Sequence, residues 1–312
     1  MNKNRYNHLN TALKEKFGER TLKICVDGGF SCPNRDGVCG KGGCIFCGSM
    51  GAGENIKNRL MENLASIKNQ VHGFLNSYKG ERANKFIVYF QSFSNTYDAV
   101  DKLRVRYNTA LECSDKIVGL QVATRPDCIN EEVVELLASY KNKYYVCVEL
   151  GLQSSSDEIG DNINRCYTTK DFVDAVELLH RYKIDVVVHV MVGLPGERVE
   201  DISNTIKLIN ECACEGIKIH STYVTSDSKL FEMYNQDKYV PITQEYYIDI
   251  VARVISNLNN NIIIHRINAD PPKKSFVAPE WVGRKKIVIN NINRKLAELD
   301  VFQGDKKLDF TL

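Results

Sequence analysis

The strongest constraint on the fold is the alternation of short apolar runs with longer amphipathic segments along most of the chain. Runs rich in β-branched residues predict strands at 22–26, 86–91, 117–122, 144–150, 186–192 and 217–220. Helices are predicted to begin between these strands, near Asn55, Tyr97, Asn130, Thr169 and Val199. Strands that alternate with helices form βαβ units around a parallel sheet. Six such units are too few for a closed eight-stranded barrel and predict an open, partial one.

The pattern changes after residue 240. A helix is predicted at about 243–257, an apolar strand at 262–264 and a basic helix at about 283–299. We therefore expect a main barrel domain over residues 1–240, including an N-terminal segment, and a basic extension over 241–312 packed on it. No window approaches 18 consecutive apolar residues, and the N-terminal stretch lacks the apolar core of a secretory signal. We expect a cytoplasmic protein with no membrane partner.

Charge is distributed unevenly, although the formal net charge is only +2. Residues 1–24 carry six Lys and Arg against two Glu, and residues 271–312 carry nine against five acids, so the middle of the chain is acidic. Basic ends on an acidic body indicate a polyanion contact made by the termini. An ordinary solvated surface with scattered lysines explains the same pattern equally well.

Polar motifs follow the predicted strands at the points where they end. The segment from Cys32 to Cys47 follows the first strand, and polar segments at 91–95, 124–127, 151–154 and 193–197 follow the next four. In parallel βα folds the chemistry gathers at the carboxyl ends of the strands. This edge of the sheet is therefore predicted to hold the active site.

The chain has eleven cysteines, and five of them fall within 23 residues: Cys25, Cys32, Cys39, Cys44 and Cys47. A Cys-x-x-Cys pair, joined by a third cysteine across a glycine-rich loop, can surround an iron–sulfur cluster. Three cysteines on four irons would leave one iron open. A zinc site built from Cys32, Cys39, Cys44 and Cys47 is also chemically reasonable. A thioredoxin-like Cys44-x-x-Cys47 usually opens a helix in a smaller fold. Spacing alone leaves cluster and zinc both open.

Taken together, the motifs resemble the YhcC/YtqA-type radical S-adenosylmethionine (SAM) proteins, which are distant relatives of the Elongator catalytic subunit. The resemblance rests on Cys-Pro-Asn-Arg-Asp-Gly at 32–37, Gly-Gly-Cys-x-Phe-Cys at 42–47, Tyr-Phe-Gln-Ser-Phe-Ser-Asn-Thr-Tyr at 89–97, Thr-Arg-Pro-Asp at 124–127, Val-Glu-Leu-Gly-Leu-Gln-Ser at 148–154, Gly-Leu-Pro-Gly-Glu at 193–197, His265-Arg266 and Val-Ala-Pro-x-Trp at 277–281. It covers nearly the whole chain. It implies an α/β fold, a partial (βα)6 TIM-like radical SAM barrel with a C-terminal extension.

The resemblance also implies the cofactors. A [4Fe–4S] cluster would be held by Cys32, Cys44 and Cys47, with SAM bound to the open iron through its amino and carboxylate groups. One electron, from a donor such as flavodoxin or ferredoxin, would cleave SAM into methionine and a 5′-deoxyadenosyl radical. That radical would take a hydrogen atom from the substrate. Cys25 and Cys39 lie outside the expected triad.

Motif positions place further residues near SAM: Gln91, Ser94, Asn95, Arg125, Glu149, Gln153, Arg165, Gly193 and Leu194. The first three are expected at the methionine end. Glu149 and Gln153 are candidates for the ribose hydroxyls. Arg125 and Arg165 could pair with the SAM carboxylate or a substrate anion. The turn at 193–197 is expected under the adenine. No catalytic residue is assigned.

One motif departs from the family pattern. The family usually carries Arg-Gly-His after its fourth strand, where this chain has Arg165-Cys166-Tyr167. If that histidine places the substrate, its role is in doubt here.

The substrate favoured by the resemblance and by the basic termini is tRNA. The expected target is a modified wobble uridine, whose carboxymethylaminomethyl group would be trimmed to aminomethyl. C-terminal lysines and arginines would grip phosphates, and Trp281 would either stack on a base or pack the extension onto the barrel. Two alternatives stay open: a radical SAM enzyme acting on a small-molecule or porphyrin-like substrate, and a zinc-stabilised nucleic-acid-binding module without catalysis.

Overall fold

A curled sheet of seven parallel strands organises the computed structural model, which describes residues 4–49, 51 and 64–311. The strands are β1 (Thr21–Val26), β2 (Lys85–Phe90), β3 (Ile117–Thr124), β4 (Tyr145–Gln153), β5 (Asp185–Val192), β6 (Gly216–Ser221), β7 (Val224–Thr225), β8 (Ile263–Arg266) and β9 (Phe276–Ala278). The sheet has the order β1-β2-β3-β4-β5-β6-β8. Strands β7 and β9 form a separate antiparallel ribbon. The predicted partial α/β barrel is confirmed.

Helices connect the strands of this sheet. They are α1 (Leu9–Phe17), α2 (Pro33–Asp36), α3 (Leu64–Leu75), α4 (Val100–Leu111), α5 (Glu131–Ser139), α6 (Asp157–Asn162), α7 (Thr169–Arg181), α8 (Val199–Glu211), α9 (Lys229–Asn235), α10 (Gln244–Asn257), α11 (Glu280–Gly283) and α12 (Lys285–Glu298). The predicted cap of α5 is confirmed, because the Asn130 side chain accepts a hydrogen bond from the backbone N–H of Val133. The helix start predicted near Asn55 lies outside the described residues.

The main hydrophobic core fills the space between the sheet and these helices. Strand residues such as Val88 and Val148 pack with helix residues such as Leu137 and Val176, and all four are buried. Full burial of an aliphatic side chain contributes about 1.5–3 kcal/mol. Among the described residues, no helix combines the length and apolar character needed to cross a membrane.

The strand predicted at 262–264 belongs to the barrel rather than standing apart in the extension. It appears as β8, which pairs in parallel with β6 and follows it through α10. Ile262 and Ile264 are buried, so this strand covers the apolar edge that β6 would otherwise expose. The basic helix α12 then packs on α10 through residues including Val288 and Ile292.

Candidate active site

The loop after β1 presents three thiols of the predicted triad. Cys32 is the N-cap of α2, and the backbone N–H of Cys47 donates to the carbonyl of Cys44 at 3.0 Å, which closes a turn between these two cysteines. Gly42 and Gly43 both have left-handed backbone conformations, with φ of 83° and 81°. Because residues with a Cβ rarely adopt such angles, the two glycines allow the chain to curl back towards α2.

Hydrogen bonds hold this loop from two sides. The Asn34 side chain donates to the carbonyl of Asn164 at 2.6 Å, and the Asn164 side chain donates to the carbonyl of Gly43 at 2.8 Å. On the other side, the backbone N–H of Leu230 donates to the carbonyl of Ile45 at 2.8 Å. The segments after β4 and β7 therefore fix the shape of the cysteine loop.

The three thiols influence one another electrostatically. Burial raises the pKa of the Cys44 thiol well above its usual range, and the nearby thiols of Cys47 and Cys32 raise it further, while Arg125 and a hydrogen bond from Asn34 lower it. Thiols grouped in this way lose their protons when a positively charged metal group binds them. Within the described ranges, no three or more His, Cys, Asp or Glu side chains converge as ligands of one ion do. Cysteine thiolates are the usual protein ligands of a [4Fe–4S] group, so the chemistry of this donor set fits one.

The other two cysteines of the N-terminal group lie in different surroundings. Cys39 is exposed, and its sulfur lies 3.5 Å from Arg125 Nη2. Cys25 lies on β1 and is exposed, yet desolvation by the surrounding protein raises the pKa of its thiol against the charges of Lys218 and Lys23.

The loop after β2 carries buried polar atoms beside the cysteine loop. The backbone N–H of Ser94 donates to the carbonyl of Ser31 at 3.1 Å, which joins the two loops. Ser94 and Asn95 are fully buried; Ser94 lies within hydrogen-bonding reach of the Cys128 thiol, whereas Asn95 Oδ1 has no hydrogen-bond partner among the described residues. Gln91 is half-buried in the same loop. Because buried polar atoms are normally paired, Asn95 Oδ1 indicates a polar ligand in this loop beside the cysteine loop.

Arg125 lies between the cysteine loop and the loop after β4. Its Nε and Nη2 donate to the Asp127 carboxylate at 2.9 and 2.7 Å, and its Nη1 donates to the carbonyl of Arg165 at 3.0 Å. The hydrogen bonds and charge of Asp127 raise the pKa of Arg125 although burial opposes this, so the guanidinium stays charged.

Arg165 is fully buried and bonded to the protein itself. Its guanidinium donates to the carbonyls of Leu152 and Ser154 at 2.7 Å each, to the carbonyl of Tyr167 at 3.0 Å and to the Asp157 carboxylate at 2.9 Å. These contacts tie the end of β4 to α6. The motif around Arg165 predicted a contact with a ligand carboxylate, but protein acceptors surround its donors.

Tyr167 occupies the position where the family usually has histidine. Its ring lies 4.8 Å from the guanidinium carbons of both Arg125 and Arg165, and its hydroxyl donates to Gln153 Oε1 at 2.7 Å. Gln153 thereby keeps its side-chain N–H donors for other partners. Cys166 has a left-handed φ of 61°, which is consistent with a glycine at this position in the family.

The Gly193–Glu197 turn follows β5 and closes on itself. The Glu197 carboxylate accepts hydrogen bonds from the backbone N–H groups of Gly193 at 2.7 Å and Leu194 at 3.3 Å. Burial raises the pKa of Glu197 to about 8, although these two N–H groups act in the opposite direction. The Tyr239 hydroxyl donates to the Gly193 carbonyl at 2.7 Å.

A polar network fills the concave face of the sheet. We call it the barrel-interior cluster; it consists of Lys23, Tyr89, Gln121, Glu149, His189, Lys218, His220, His265 and Arg266. Glu149 is its centre and is fully buried. Gln121 Nε2 and His189 Nε2 lie 2.6 Å from its carboxylate, Lys23 Nζ lies at 3.4 Å, and Lys218 and the Tyr89 hydroxyl contact it closely.

The charge of Glu149 is stabilised by these neighbours. Burial alone would raise its pKa, but Lys218, Lys23 and His189 hold the pKa well below its usual range. The carboxylate is therefore ionised, and protein donors surround both of its oxygens. The motif at 148–154 predicted Glu149 at the site. Most of the residues that surround it in the barrel-interior cluster were not predicted from the sequence.

One sequence signal could have revealed the missing residues. Polar residues interrupt apolar strands at alternating positions, as in Ile-Lys-Ile-His at 217–220. Alternate residues of a strand share one face, so the side chains of Lys218 and His220 lie on the face opposite to those of Ile217 and Ile219.

Comparison with known proteins assigns the family. The Radical SAM superfamily model matches residues 37–209, and the Radical_SAM C-terminal domain model matches residues 214–298. The chain belongs to the radical SAM superfamily. It is 35% identical over 303 residues to the uncharacterized protein YtqA of Bacillus subtilis, covering 96% of this chain and 92% of YtqA. It is 32% identical over 289 residues to protein YhcC of Escherichia coli K12, covering 92% and 90%. The resemblance to the YhcC/YtqA type is confirmed.

More distant relatives share part of the chain or its fold. A tRNA uridine(34) acetyltransferase of Methanocaldococcus jannaschii is 30% identical over 166 residues, covering 52% of this chain and 30% of that protein. The structure of Methanocaldococcus infernus Elp3, with residues 1–46 deleted, superposes with a TM-score of 0.63 at 18% identity, covering 88% of this chain and 63% of Elp3. This last likeness concerns the fold alone.

Membership in the superfamily determines the cofactors. A radical SAM enzyme uses a [4Fe–4S] cluster and SAM, as the motifs of this chain predicted. The alternative of a zinc-stabilised binding module without catalysis is thereby removed.

Proposed function

We propose that this radical SAM enzyme acts on tRNA and trims the carboxymethylaminomethyl group of a wobble uridine to aminomethyl. The observation that carries the proposal is the sequence relationship to a tRNA uridine(34) acetyltransferase over half of the chain. Position 34 is the wobble position, so this relative acts on the same nucleotide. Exposed lysines on the C-terminal extension support an RNA partner.

We propose Cys32, Cys44 and Cys47 as the cluster ligands. The loop that carries them is curled by Gly42 and Gly43 and is fixed from both sides by hydrogen bonds. Bound there, the cluster and SAM supply the radical that removes a hydrogen atom from the substrate. The residues of the chain bind and orient these groups and exclude water. The reducing cytoplasm, with flavodoxin or ferredoxin as electron donor, suits free thiols of this kind.

Residues of the surrounding loops are proposed to bind SAM. Gln91, Ser94 and Asn95 would contact its methionine end, since the Ser94 backbone joins this loop to the cysteine loop and Asn95 Oδ1 is buried without a partner among the described residues. Gln153 would offer its amide N–H groups to the ribose, oriented by Tyr167. The turn at Gly193 and Leu194 would lie against the adenine, and Arg125 would supply a fixed positive charge near the SAM carboxylate.

Glu149 and Arg165 are proposed to support the site rather than to touch SAM. The Glu149 carboxylate is surrounded by donors of the barrel-interior cluster, and Arg165 is bonded to carbonyls of β4 and its following loop. Loss of either would displace the strand ends that carry the contacts.

The proposed RNA surface lies on the extension. Lys273, Lys274 and Lys286 are exposed and have no ion pair with a described residue, whereas Lys285 pairs with Asp270 at 3.1 Å. Trp281 packs against the main hydrophobic core, where its indole N–H donates to the carbonyl of Ile242 at 3.1 Å and its ring lies 5.1 Å from that of Tyr247. The lysines, and not Trp281, are therefore proposed to meet the RNA.

The test measures two reaction products, deoxyadenosine and the modified nucleoside, in one assay. Anaerobically reconstituted protein is mixed with dithionite, SAM and tRNA that carries carboxymethylaminomethyluridine. We expect deoxyadenosine to form and aminomethyluridine to replace the starting nucleoside in digests analysed by mass spectrometry. Deoxyadenosine formation with unchanged tRNA would contradict the tRNA proposal and would point to a small-molecule or porphyrin-like substrate.

A further inference from the structure

The barrel-interior cluster contains more positive charge than its single carboxylate can balance. Lys23 and Lys218 both pair with Glu149, whereas the Arg266 side chain makes no hydrogen bond or ion pair with another described residue. Asp185, at the start of β5, pairs instead with Lys16 at 3.7 Å. Three cations thus face one anion in a largely buried space, an arrangement that costs free energy until an anion enters.

The three histidines of the cluster do not change this balance. Burial lowers the pKa of His189, His220 and His265, and neighbouring cations lower it further, so they are uncharged at neutral pH. Burial also lowers the pKa of Lys218 to about 8; Glu149 opposes the shift, and Lys23 and Arg266 add to it. With a pKa of about 8, Lys218 remains charged at pH 7, so it keeps its place among the cations of the cluster.

Register places the unpaired groups together. His189, Lys218 and Arg266 are neighbours across β5, β6 and β8, and Arg266 is the last residue of its strand. His220 lies two residues after Lys218 on the same face, and its Nε2 is buried without a hydrogen-bond partner among the described residues. The charge of Arg266 acts directly on His220 and Lys218. These donors therefore lie on the side of the cluster that faces the carboxyl ends of the strands.

The proposed site is not sealed from solvent, because Arg266 and His220 are only half-buried. The side chains of His189 and Lys23 are 22% and 16% exposed. Arg125, proposed for the SAM carboxylate, follows β3 and lies against Cys39 of the cysteine loop, whereas Arg266 ends β8 beside Lys218. The charges of Arg266 and Lys218 act instead on the residues of the barrel interior.

We propose that Arg266, together with His220 and Lys218, binds a carboxylate of the substrate inside the barrel. A guanidinium presents two parallel N–H groups that match a carboxylate, and charge-assisted hydrogen bonds are strong in a largely buried site. The choice of ligand rests on the proposed function, in which this anion is the carboxylate of the carboxymethylaminomethyl group. The substrate side chain carries both an ammonium and this carboxylate, whereas the aminomethyl product keeps the ammonium alone, so the same charges would repel the product and favour its release.

The test measures binding without turnover. Anaerobic protein carrying cluster and SAM, but no reductant, is titrated with carboxymethylaminomethyluridine nucleoside and with its carboxamide. We expect the native protein to bind the carboxylate at least about tenfold more tightly than the amide. Arg266→Gln should abolish this preference, and Arg266→Lys should restore part of it. The control is Arg181→Gln, which changes an arginine that is 67% exposed on α7 and should keep the full preference.

Several outcomes would overturn the inference. Equal binding of the two nucleosides by the native protein, no binding of either, or an undiminished preference in Arg266→Gln would each do so. An equal loss of SAM affinity in Arg266→Gln would mean that this cation serves SAM. If Arg266→Gln does not fold, the native comparison and Arg266→Lys decide. A carboxylate preference in a protein that leaves tRNA unmodified would support the anion site and refute the proposed function.

Discussion

At the scale of single residues, Asn34 is the side chain that connects the cysteine loop to the rest of the site. Its amide nitrogen donates to the Asn164 carbonyl at 2.6 Å and lies 3.7 Å from Cys44 Sγ, and its oxygen lies 3.3 Å from Cys166 Sγ. A Cβ on Gly40 would fall 2.2 Å from that oxygen, so glycine is required there. Asn34 is not a proposed ligand, but it contacts the Cys44 thiol and can hold it in position. Residues that hydrogen-bond to metal ligands commonly have this role.

The first prediction concerns the thiols themselves. Cys44→Ala should prevent assembly of the cluster, because removal of one of three thiolates leaves a second iron without a protein ligand. The measurement is iron and sulfide content, with the visible spectrum, after anaerobic reconstitution. We expect the variant to bind little iron and to lack the cluster absorption.

Cys39→Ala is the matched control for this experiment. Cys39 lies in the same loop but contacts Arg125, and it is exposed. Its replacement should leave iron content at the native level. A Cys44→Ala protein that keeps its iron, or a Cys39→Ala protein without iron, would show that the ligand set is assigned wrongly.

At the scale of elements, each barrel strand has two chemically different faces. The outer face is apolar and packs on helices, whereas the inner face carries the charged and imidazole groups of the barrel-interior cluster. His189, His220 and His265 come from β5, β6 and β8, and His265 Nδ1 lies 3.3 Å from Lys23 Nζ. Their lowered pKa values mean that the folded protein resists their protonation.

The second prediction follows from that resistance. Below pH about 6.5 the unfolded chain binds more protons than the folded one, so stability falls as pH decreases, by up to about 1.4 kcal/mol per pH unit for each such histidine. His265→Gln removes one of these groups and should make the loss of stability between pH 7.5 and 5.5 smaller. The thermal unfolding midpoint at the two pH values measures it.

His180 provides a control, because its pKa is shifted in the opposite direction from those of the three barrel histidines. A hydrogen bond to Glu215, at 3.3 Å, raises the pKa of His180. Its contribution to stability is present below its unfolded pKa and is lost as pH rises through the folded value. His180→Gln should therefore make the loss of stability at low pH larger. If both variants shift the pH dependence in the same direction, the electrostatic account of the barrel interior is wrong.

At the scale of the whole molecule, the two basic ends of the chain meet beside β8. The Asn7 carbonyl accepts from the N–H of Ile264 at 2.8 Å, and the Asn7 N–H donates to Gln303 Oε1 at 2.9 Å. Arg5 also pairs with Asp300 at 3.2 Å. Segments that are far apart in sequence thus lie side by side, although no motif connects them.

The third prediction concerns RNA binding by the C-terminal extension. Replacing Lys273, Lys274 and Lys286 together by Gln should weaken tRNA binding and flatten its salt dependence. For each phosphate that the variant no longer neutralises, the slope of log K against log salt should become shallower by about 0.7–0.9. Binding isotherms at several salt concentrations measure the slope.

Lysines on the outer helices serve as the control for this set. Lys102, Lys170 and Lys207 are exposed and lie near acidic partners on α4, α7 and α8. Their joint replacement by Gln should leave the slope unchanged. Equal effects of the two triple variants would show that RNA is attracted by overall charge rather than by the extension.

Local patterns in the sequence determined much of this molecule. The six predicted strands, the N-cap at Asn130 and the position of the cysteine loop after β1 are all present in the structure. Each depends on residues that are close in the chain: alternation of apolar side chains, a capping side chain, glycines that permit a reversal. The parallel arrangement of the strands predicted which edge of the sheet carries the polar motifs.

The tertiary structure alone decided which polar residues face one another. The pairing of β8 with β6 brought Arg266 beside Lys218, and the curl of the sheet brought both towards Glu149 on β4. Arg165, which its motif suggested as a ligand contact, became a buried support for β4. The physical reason is that strand register and sheet curvature are set by packing over the whole sheet. Contacts between distant strands therefore exist only once every strand is in place.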